Sequence, residues 1–233
     1  MKILGLDTSS KYLSLGIYDN DKIYEYTLET GRKLSALIMP SIDRVLRSLG
    51  LEARDMDYFA CGLGPGSFTG IRVGLATVKG LSWSVKKPTV GVSTLDILAL
   101  NAQNHPGYII PVIDAKRNLI YASIYTMQGH LLKRQAPYML STPEELIKKV
   151  RKFNCVLLGD AADLWRQKLQ LELNKAVILD NDYWYPKACN ILNLALLKIR
   201  KHQTNNPFDI KPIYLYPKEC QIRSVTSKSV TRN

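Results

Sequence analysis

Apolar positions fall into short runs at the start of the chain. Lys2 to Asp7, Tyr12 to Tyr18 and Lys22 to Leu28 each have the length and the aliphatic or aromatic content of a strand. Asp19-Asn20-Asp21 supplies the hairpin turn between the last two. From Arg32 to Leu49 the period lengthens to that of a helix: Leu34, Leu37, Ile38, Ile42, Val45, Leu46 and Leu49 share a side, and Gly50 is the stop. Pro40 falls inside this pattern and predicts either a kink or the true helix start, because it lacks an N–H and crowds the preceding turn. An apolar strand, Tyr58 to Cys61, then leads through a glycine-proline turn into a helix capped by Ser67. Pro88 to Val92 reads as a short strand, and Ser93 to Asp96 has capping-box spacing for a helix through Ala102.

The second half repeats the opening plan. Tyr108 to Asp114 is a strand ending in Asp, Ala115 to Asn118 a turn, Leu119 to Tyr125 a second strand, Gln128-Gly129 a hairpin turn, and Leu131 to Leu140 a third strand. Thr142-Pro143-Glu144-Glu145 carries cap, N1 proline and N3 glutamate for another helix. Cys155 to Asp160 is a buried-type strand running into a helix over Ala161 to Gln170; a short strand at Val177 to Leu179 and a helix over Pro186 to Lys201 follow. Strand, Asp, turn and hairpin occurring twice predict an α/β protein of two ribonuclease-H-like lobes, at residues 1–104 and 105–223. The end, 224–233, is rich in Ser, Thr, Lys and Arg, and reads as a disordered basic tail.

The stretch Gly64-Pro65-Gly66-Ser67-Phe68-Thr69-Gly70-Ile71-Arg72-Val73-Gly74 stands out from this pattern. Gly64 and Gly66 permit a turn that a Cβ would obstruct. In the helix that follows, Gly70, Gly74, Thr77 and Leu81 share one side, while Arg72, Ala76, Lys79 and Trp83 fall opposite. Glycine inside a helix costs up to ~1 kcal/mol relative to alanine, so two at i, i+4 predict close approach of another backbone. The alternatives are a loop and helix packed on the protein's own core, a loop that cradles phosphate, and a helix reserved for a partner subunit.

The chain has 233 residues, and 46% of them are hydrophobic, ample for a buried core. No apolar run approaches the ~18 residues of a spanning helix, and Met1 to Asp7 turns charged too early for a signal peptide, so a cytoplasmic protein without membrane attachment is expected. Cys61, Cys155, Cys189 and Cys220 are dispersed without a Cys-x-x-Cys pair, which predicts reduced, structural thiols. The net charge is +12. Residues 1–100 carry 12 basic against 10 acidic residues and residues 101–233 carry 20 against 10, so the excess sits in the second half and points to an anionic partner such as RNA.

His105, His130 and His202 lie far apart, with no acidic or His partner at i+4, and no metal site is predicted from them. Neither Gly-x-Ser-x-Gly nor a Walker A loop is present. Asp7 and Asp114, each ending the first strand of its half, either hold Mg²⁺ across an inter-lobe cleft or simply end strands and cap turns.

With Leu6-Asp7-Thr8-Ser9 at the start, the glycine string in the middle, Gly91-Val92-Ser93-Thr94-Leu95 after it and Ile113-Asp114-Ala115 opening the second half, the chain resembles the bacterial TsaB (YeaZ) family of tRNA threonylcarbamoyladenosine biosynthesis proteins. The resemblance implies the actin-like ATPase (ASKHA) fold and a non-catalytic subunit required for threonylcarbamoyl transfer to the adenosine next to the anticodon. It implies a catalytic TsaD-like partner, a TsaE-like ATPase that joins them, tRNA bound through the complex, and a homodimer when the chain is alone. It implies no resident cofactor, with a nucleotide confined to the interface of the complex. On this basis Leu37, Gly70, Gly74, Thr77 and Leu81 are partner-interface candidates. Asp7, Thr8, Ser9, Gly64, Gly66, Ser67 and Asp114 are candidates for a vestigial phosphate loop. Leu34 stands where many family members carry a His. The competing reading is a stand-alone actin-like ATP-dependent enzyme, a kinase or glycoprotease, with Asp7, Asp114 and the Gly64 loop holding Mg-nucleotide. A generic RNA-binding adaptor is a third.

Overall fold

Strand β1 (Lys2–Asp7) is buried from Ile3 onward because strands flank it on both sides and helices cover both its faces. It pairs antiparallel with β2 (Tyr12–Asp19), which pairs antiparallel with β3 (Lys22–Glu29). The turn between them puts Asn20 and Asp21 at φ of 45° and 69°, a conformation their short polar side chains tolerate. On its other side β1 runs parallel to β4 (Tyr58–Gly62), and β4 runs parallel to β5 (Thr89–Val92). The sheet order is β3-β2-β1-β4-β5. The computed structural model describes residues 1–217, and the predicted basic tail at 224–233 lies outside them.

The second sheet repeats this order with new strands. β6 (Tyr108–Lys116) takes the central place, with β7 (Leu119–Ala122) antiparallel to it and β10 (Met139–Ser141) antiparallel to β7. β11 (Cys155–Leu158) runs parallel to β6, and β12 (Ala176–Ile178) parallel to β11. The two lobes are therefore the duplicated ribonuclease-H-like pair of the actin-like fold. The long second and third strands expected here are each broken in two: β8 (Tyr125–Gln128) and β9 (Leu131–Arg134) form a separate hairpin, joined to β6 at Ile109 and Tyr125. The break falls at Ser123-Ile124, where the Ser123 hydroxyl donates to the Ala136 carbonyl and Ile124 O accepts from Gln135 N.

Helix α1 (Leu34–Ser48) and helix α2 (Phe68–Ser84) cover one face of the first sheet, burying Ile38, Ile42, Leu75 and Val78 on Leu4, Leu6, Leu13 and Leu15. Pro40 lies within α1, exposed, and so marks neither the start nor the end of that helix. Helix α3 (Thr94–Ala99) packs Leu95, Leu98 and Ala99 on Ile109, Ile113 and Val156 of the second lobe. The capping box predicted at Ser93 does not form: Ser93 makes no cap bond, and the Asp96 carboxylate accepts instead from the Tyr125 and Tyr138 hydroxyls. Helix α4 (Pro143–Val150) has its predicted box, with Thr142 Oγ1 accepting from Glu145 N at 3.3 Å and Glu145 Oε2 accepting from Thr142 N at 3.1 Å. The single helix expected over 161–170 is two, α5 (Asp160–Leu164) and α6 (Arg166–Glu172), divided at Trp165.

Helix α7 (Ala188–Arg200) corrects the predicted division into lobes. It follows the second sheet in sequence but packs Ile191, Leu192 and Ala195 on Ile3, Val90 and Val92 of the first. α3 makes the reverse crossing, so two helices trade lobes between the sheets. Asn190 ties them together, its Nδ2 donating to Ile97 O at 3.3 Å and to Asn101 Oδ1 at 2.8 Å.

Candidate functional site

Asp7 ends β1 and is 1% exposed. Its Oδ1 accepts from Ser9 N at 2.7 Å and from Ser9 Oγ at 2.6 Å, and its Oδ2 accepts from Thr94 Oγ1 at 2.7 Å. Burial raises its pKa above the usual carboxylate range, opposed by the three bonds it accepts. Gly62, on the adjacent strand, has no room for a side chain: a Cβ there would sit 1.9 Å from Asp7 Oδ2. The carboxylate is thus enclosed by its own lobe.

The glycine string closes over the same turn. At Gly66, φ is +154° and a Cβ would lie 2.6 Å from the Ser9 carbonyl oxygen, which accepts from Ser67 N at 2.7 Å. Ser67 caps α2 as predicted, accepting from Gly70 N at 3.2 Å. Gly64 O accepts from Thr94 N at 2.8 Å, and a Cβ on Gly64 would meet Ile71 Cδ1 at 2.5 Å. The close approach foretold by Gly70 and Gly74 is real and intramolecular. A Cβ on Gly70 would be 2.0 Å from Thr8 O and one on Gly74 2.1 Å from Thr8 Oγ1, while Thr8 Oγ1 donates to Gly70 O at 2.8 Å. As partner-interface candidates, Gly70 and Gly74 are therefore corrected: both are buried against the turn after β1.

A cleft of about 670 Å³ opens between the lobes, where Ser9, Ser10, Lys11 and Ser67 of the first face Asp114, Lys116, Arg117 and Asp160 of the second. Asp114 lines it and Asp7 does not, so the two carboxylates do not meet there. Asp114 pairs with Lys116, and its backbone N–H donates to Asp160 Oδ1 at 2.9 Å. Burial raises the Asp160 pKa. The chain itself spans the cleft near the described C-terminus: Ile213 N donates to Leu63 O at 2.8 Å, and the Tyr216 hydroxyl to Ala115 O at 2.7 Å. Between these ties the Arg72 guanidinium lies 3.8 Å above the Phe68 ring and donates to the Tyr214 hydroxyl at 2.9 Å.

Of the predicted residues Ser9, Gly66, Ser67 and Asp114 line the cleft, but Asp7 is not placed to hold a Mg-nucleotide of the kind the actin-like fold implies. The Asp7 carboxylate is used by Ser9 and Thr94, and the space beside Gly66 is filled by the Ser9 carbonyl. Among the described residues no group of three or more His, Cys, Asp or Glu side chains is placed to hold a metal ion. Cys61, Cys155 and Cys189 are free thiols, and burial with Asp7 nearby pushes the Cys61 pKa up.

Of the remaining interface candidates on α1 and α2, Leu81 packs against the core of the first lobe. Leu37, Thr77 and Leu81 are half-buried. Around them Ala36, Pro40, Ala76 and Gly80 are exposed, and Met39 is 46% exposed. Sequence reasoning missed Thr94, which anchors Asp7 across 87 positions, and Asp160, whose only signal was a carboxylate at a strand end like that of Asp7.

Fold and site together define a two-lobed actin-like protein whose strand-end carboxylate and glycine loop are turned inward on each other. Residues 28–191 match the family described as TsaD: tRNA N6-adenosine threonylcarbamoyltransferase. The chain is 30% identical over 174 residues to the tRNA threonylcarbamoyladenosine biosynthesis protein TsaB of Bacillus subtilis (strain 168), covering 73% of this chain and 76% of that protein. It is 31% identical to the protein of the same name from Buchnera aphidicola subsp. Schizaphis graminum, covering 82% and 90%. The solved structure of YeaZ from Pseudomonas aeruginosa superposes with a TM-score of 0.80 at 22% identity, covering 92% of this chain and all of that one, which bears on the fold. The chain belongs to the TsaB (YeaZ) family of tRNA threonylcarbamoyladenosine biosynthesis proteins.

Proposed function

We propose that this protein is a non-catalytic subunit that docks a TsaD-like catalytic partner through the outer face of α1 and α2. In this role it is required for threonylcarbamoyl transfer to the adenosine beside the anticodon of tRNAs reading codons that begin with adenine. The observation that carries the reading is the enclosure of Asp7: the carboxylate is 1% exposed, takes three hydrogen bonds from its own chain and does not line the inter-lobe cleft. The exposed small residues Ala36 and Pro40 on α1 and Ala76 and Gly80 on α2 support docking, because small side chains let a partner helix approach closely. A TsaE-like ATPase joins the pair, any nucleotide sits at the interface of the complex, and the same face makes a homodimer when the chain is alone. The protein works in the cytoplasm.

Reconstitution tests this. Modified adenosine is measured in tRNA incubated with the cognate TsaD-like and TsaE-like proteins, with and without this chain. Formation should require it, and Leu37→Asp with Ala76→Glu should abolish both partner association and modification. Full modification without the chain, or a tight Mg-ATP site on the isolated chain by calorimetry, would return the reading to a stand-alone ATP-dependent enzyme.

A further inference from the structure

The edge of the second lobe farthest from the cleft is made by the starts of β6, β11 and β12 and by the end of α4. Parallel pairing of Tyr108 with Cys155 and of Cys155 with Ala176 brings these segments side by side. Lys148, Lys149, Arg151, Lys152 and Lys175 all emerge here, all exposed. Residues 147–154 and 173–176 contain these five cations and no Asp or Glu. None of the five forms an ion pair among the described residues, whereas Lys168, beyond the other end of α4, is paired with Glu144. Lys149 reaches only the Met139 sulfur, at 3.7 Å. The negative end of the helix dipole accounts for Lys148 and Lys149 in the last turn of α4. It does not account for Arg151 and Lys152 past that turn, or for Lys175 on another segment. Beside them Phe153 stacks on Tyr108, with centroids 4.3 Å apart and planes 19° from parallel, both rings half-buried.

We infer that this edge docks the phosphate backbone of RNA, and on the reading given above that RNA is the tRNA substrate of the complex. Five cations without an ion pair among the described residues, with Glu172 the one carboxylate next to their two segments in sequence, are the electrostatic complement of closely spaced phosphates, and their counterions are released on binding. The aromatic pair lies flat beside the ridge, and the exposed Leu171 and Val177 near Lys175 are two isolated side chains against five cations, a balance that favours a nucleic-acid backbone over a bilayer. The ridge lies away from both the cleft and the α1–α2 face, so a partner on that face leaves it open.

The test measures binding of unmodified tRNA to the full chain by fluorescence anisotropy at several salt concentrations. Lys148→Gln, Lys149→Gln, Arg151→Gln and Lys152→Gln combined should weaken binding at least tenfold at low salt. The slope of log K against log salt should fall by about 0.7–0.9 for each contact removed. A control with the same change in charge, Lys22→Gln, Arg32→Gln, Lys33→Gln and Lys86→Gln on the first lobe, should keep the wild-type slope. Circular dichroism and melting establish that both variants are folded. Equal effects of the two variants, no effect of either, or binding to phosphatidylserine vesicles in place of tRNA would each overturn the inference. Partner association measured on the same variant keeps this outcome separate from the functional reading: intact association with lost tRNA binding supports the ridge, and lost association with intact tRNA binding tells against it.

Discussion

At the residue scale, the three glycines of α2 have two opposite environments. Gly70 and Gly74 face Thr8 at distances no Cβ tolerates, whereas Gly80 in the same helix has nothing within 4 Å. Gly74→Val should therefore destabilise the isolated protein by about 1–3 kcal/mol, lowering its melting temperature by several degrees with no partner present. Gly80→Ala should instead stabilise it by about 0.5–1 kcal/mol through helix propensity. Thermal denaturation of both variants decides whether the thin face is internal. Asp7 makes a pH-dependent prediction. Its pKa is raised by burial, so its contribution to stability is fullest below the unfolded value of 3.8 and declines as pH rises through the folded value. Asp7→Asn should consequently match or exceed the wild type in stability at neutral pH and lose that advantage in acid, while tRNA modification in the reconstituted system persists. A loss of modification by a folded Asn variant would show that the carboxylate has a chemical role.

At the element scale, local chemistry was readable where one segment's own residues decide the outcome. The turn at Asn20-Asp21, the Ser67 cap, the Thr142 box and the stop at Gly50 all form as their sequences predict. Thr142→Ala should cost about 1 kcal/mol, seen as a lower denaturant midpoint with unchanged slope, because one orphan N–H of α4 loses its acceptor. Where a distant residue competes, the local rule fails. Ser93 is spaced for a capping box with Asp96, yet that carboxylate is claimed by Tyr125 and Tyr138 from the second lobe. Likewise the predicted long strands of the second lobe break at Ser123, whose hydroxyl is satisfied by Ala136 across the ladder. Neither competitor lies within the window that periodicity examines.

At the scale of the whole molecule, α3 and α7 trade lobes, and Asn101 fixes the exchange by donating from Nδ2 to Tyr183 O at 3.0 Å and Tyr185 O at 2.9 Å. Each lobe thus takes a helix from the other half of the chain, and unfolding should be one cooperative transition, with calorimetric and van't Hoff enthalpies in agreement. Two resolved transitions would mean that the lobes hold together independently. The repeated run of strand, Asp, turn and hairpin, the crowding at the helical glycines, the basic second half and the family motif were all legible in the residues, since each depends on residue type at short spacing. The order of strands in each sheet, what the glycines approach, the inward turn of Asp7 to Thr94 and the lobe that α7 covers came from packing in three dimensions. Those outcomes rest on contacts across 62, 87 and more than a hundred positions, which no local pattern of polar and apolar residues encodes.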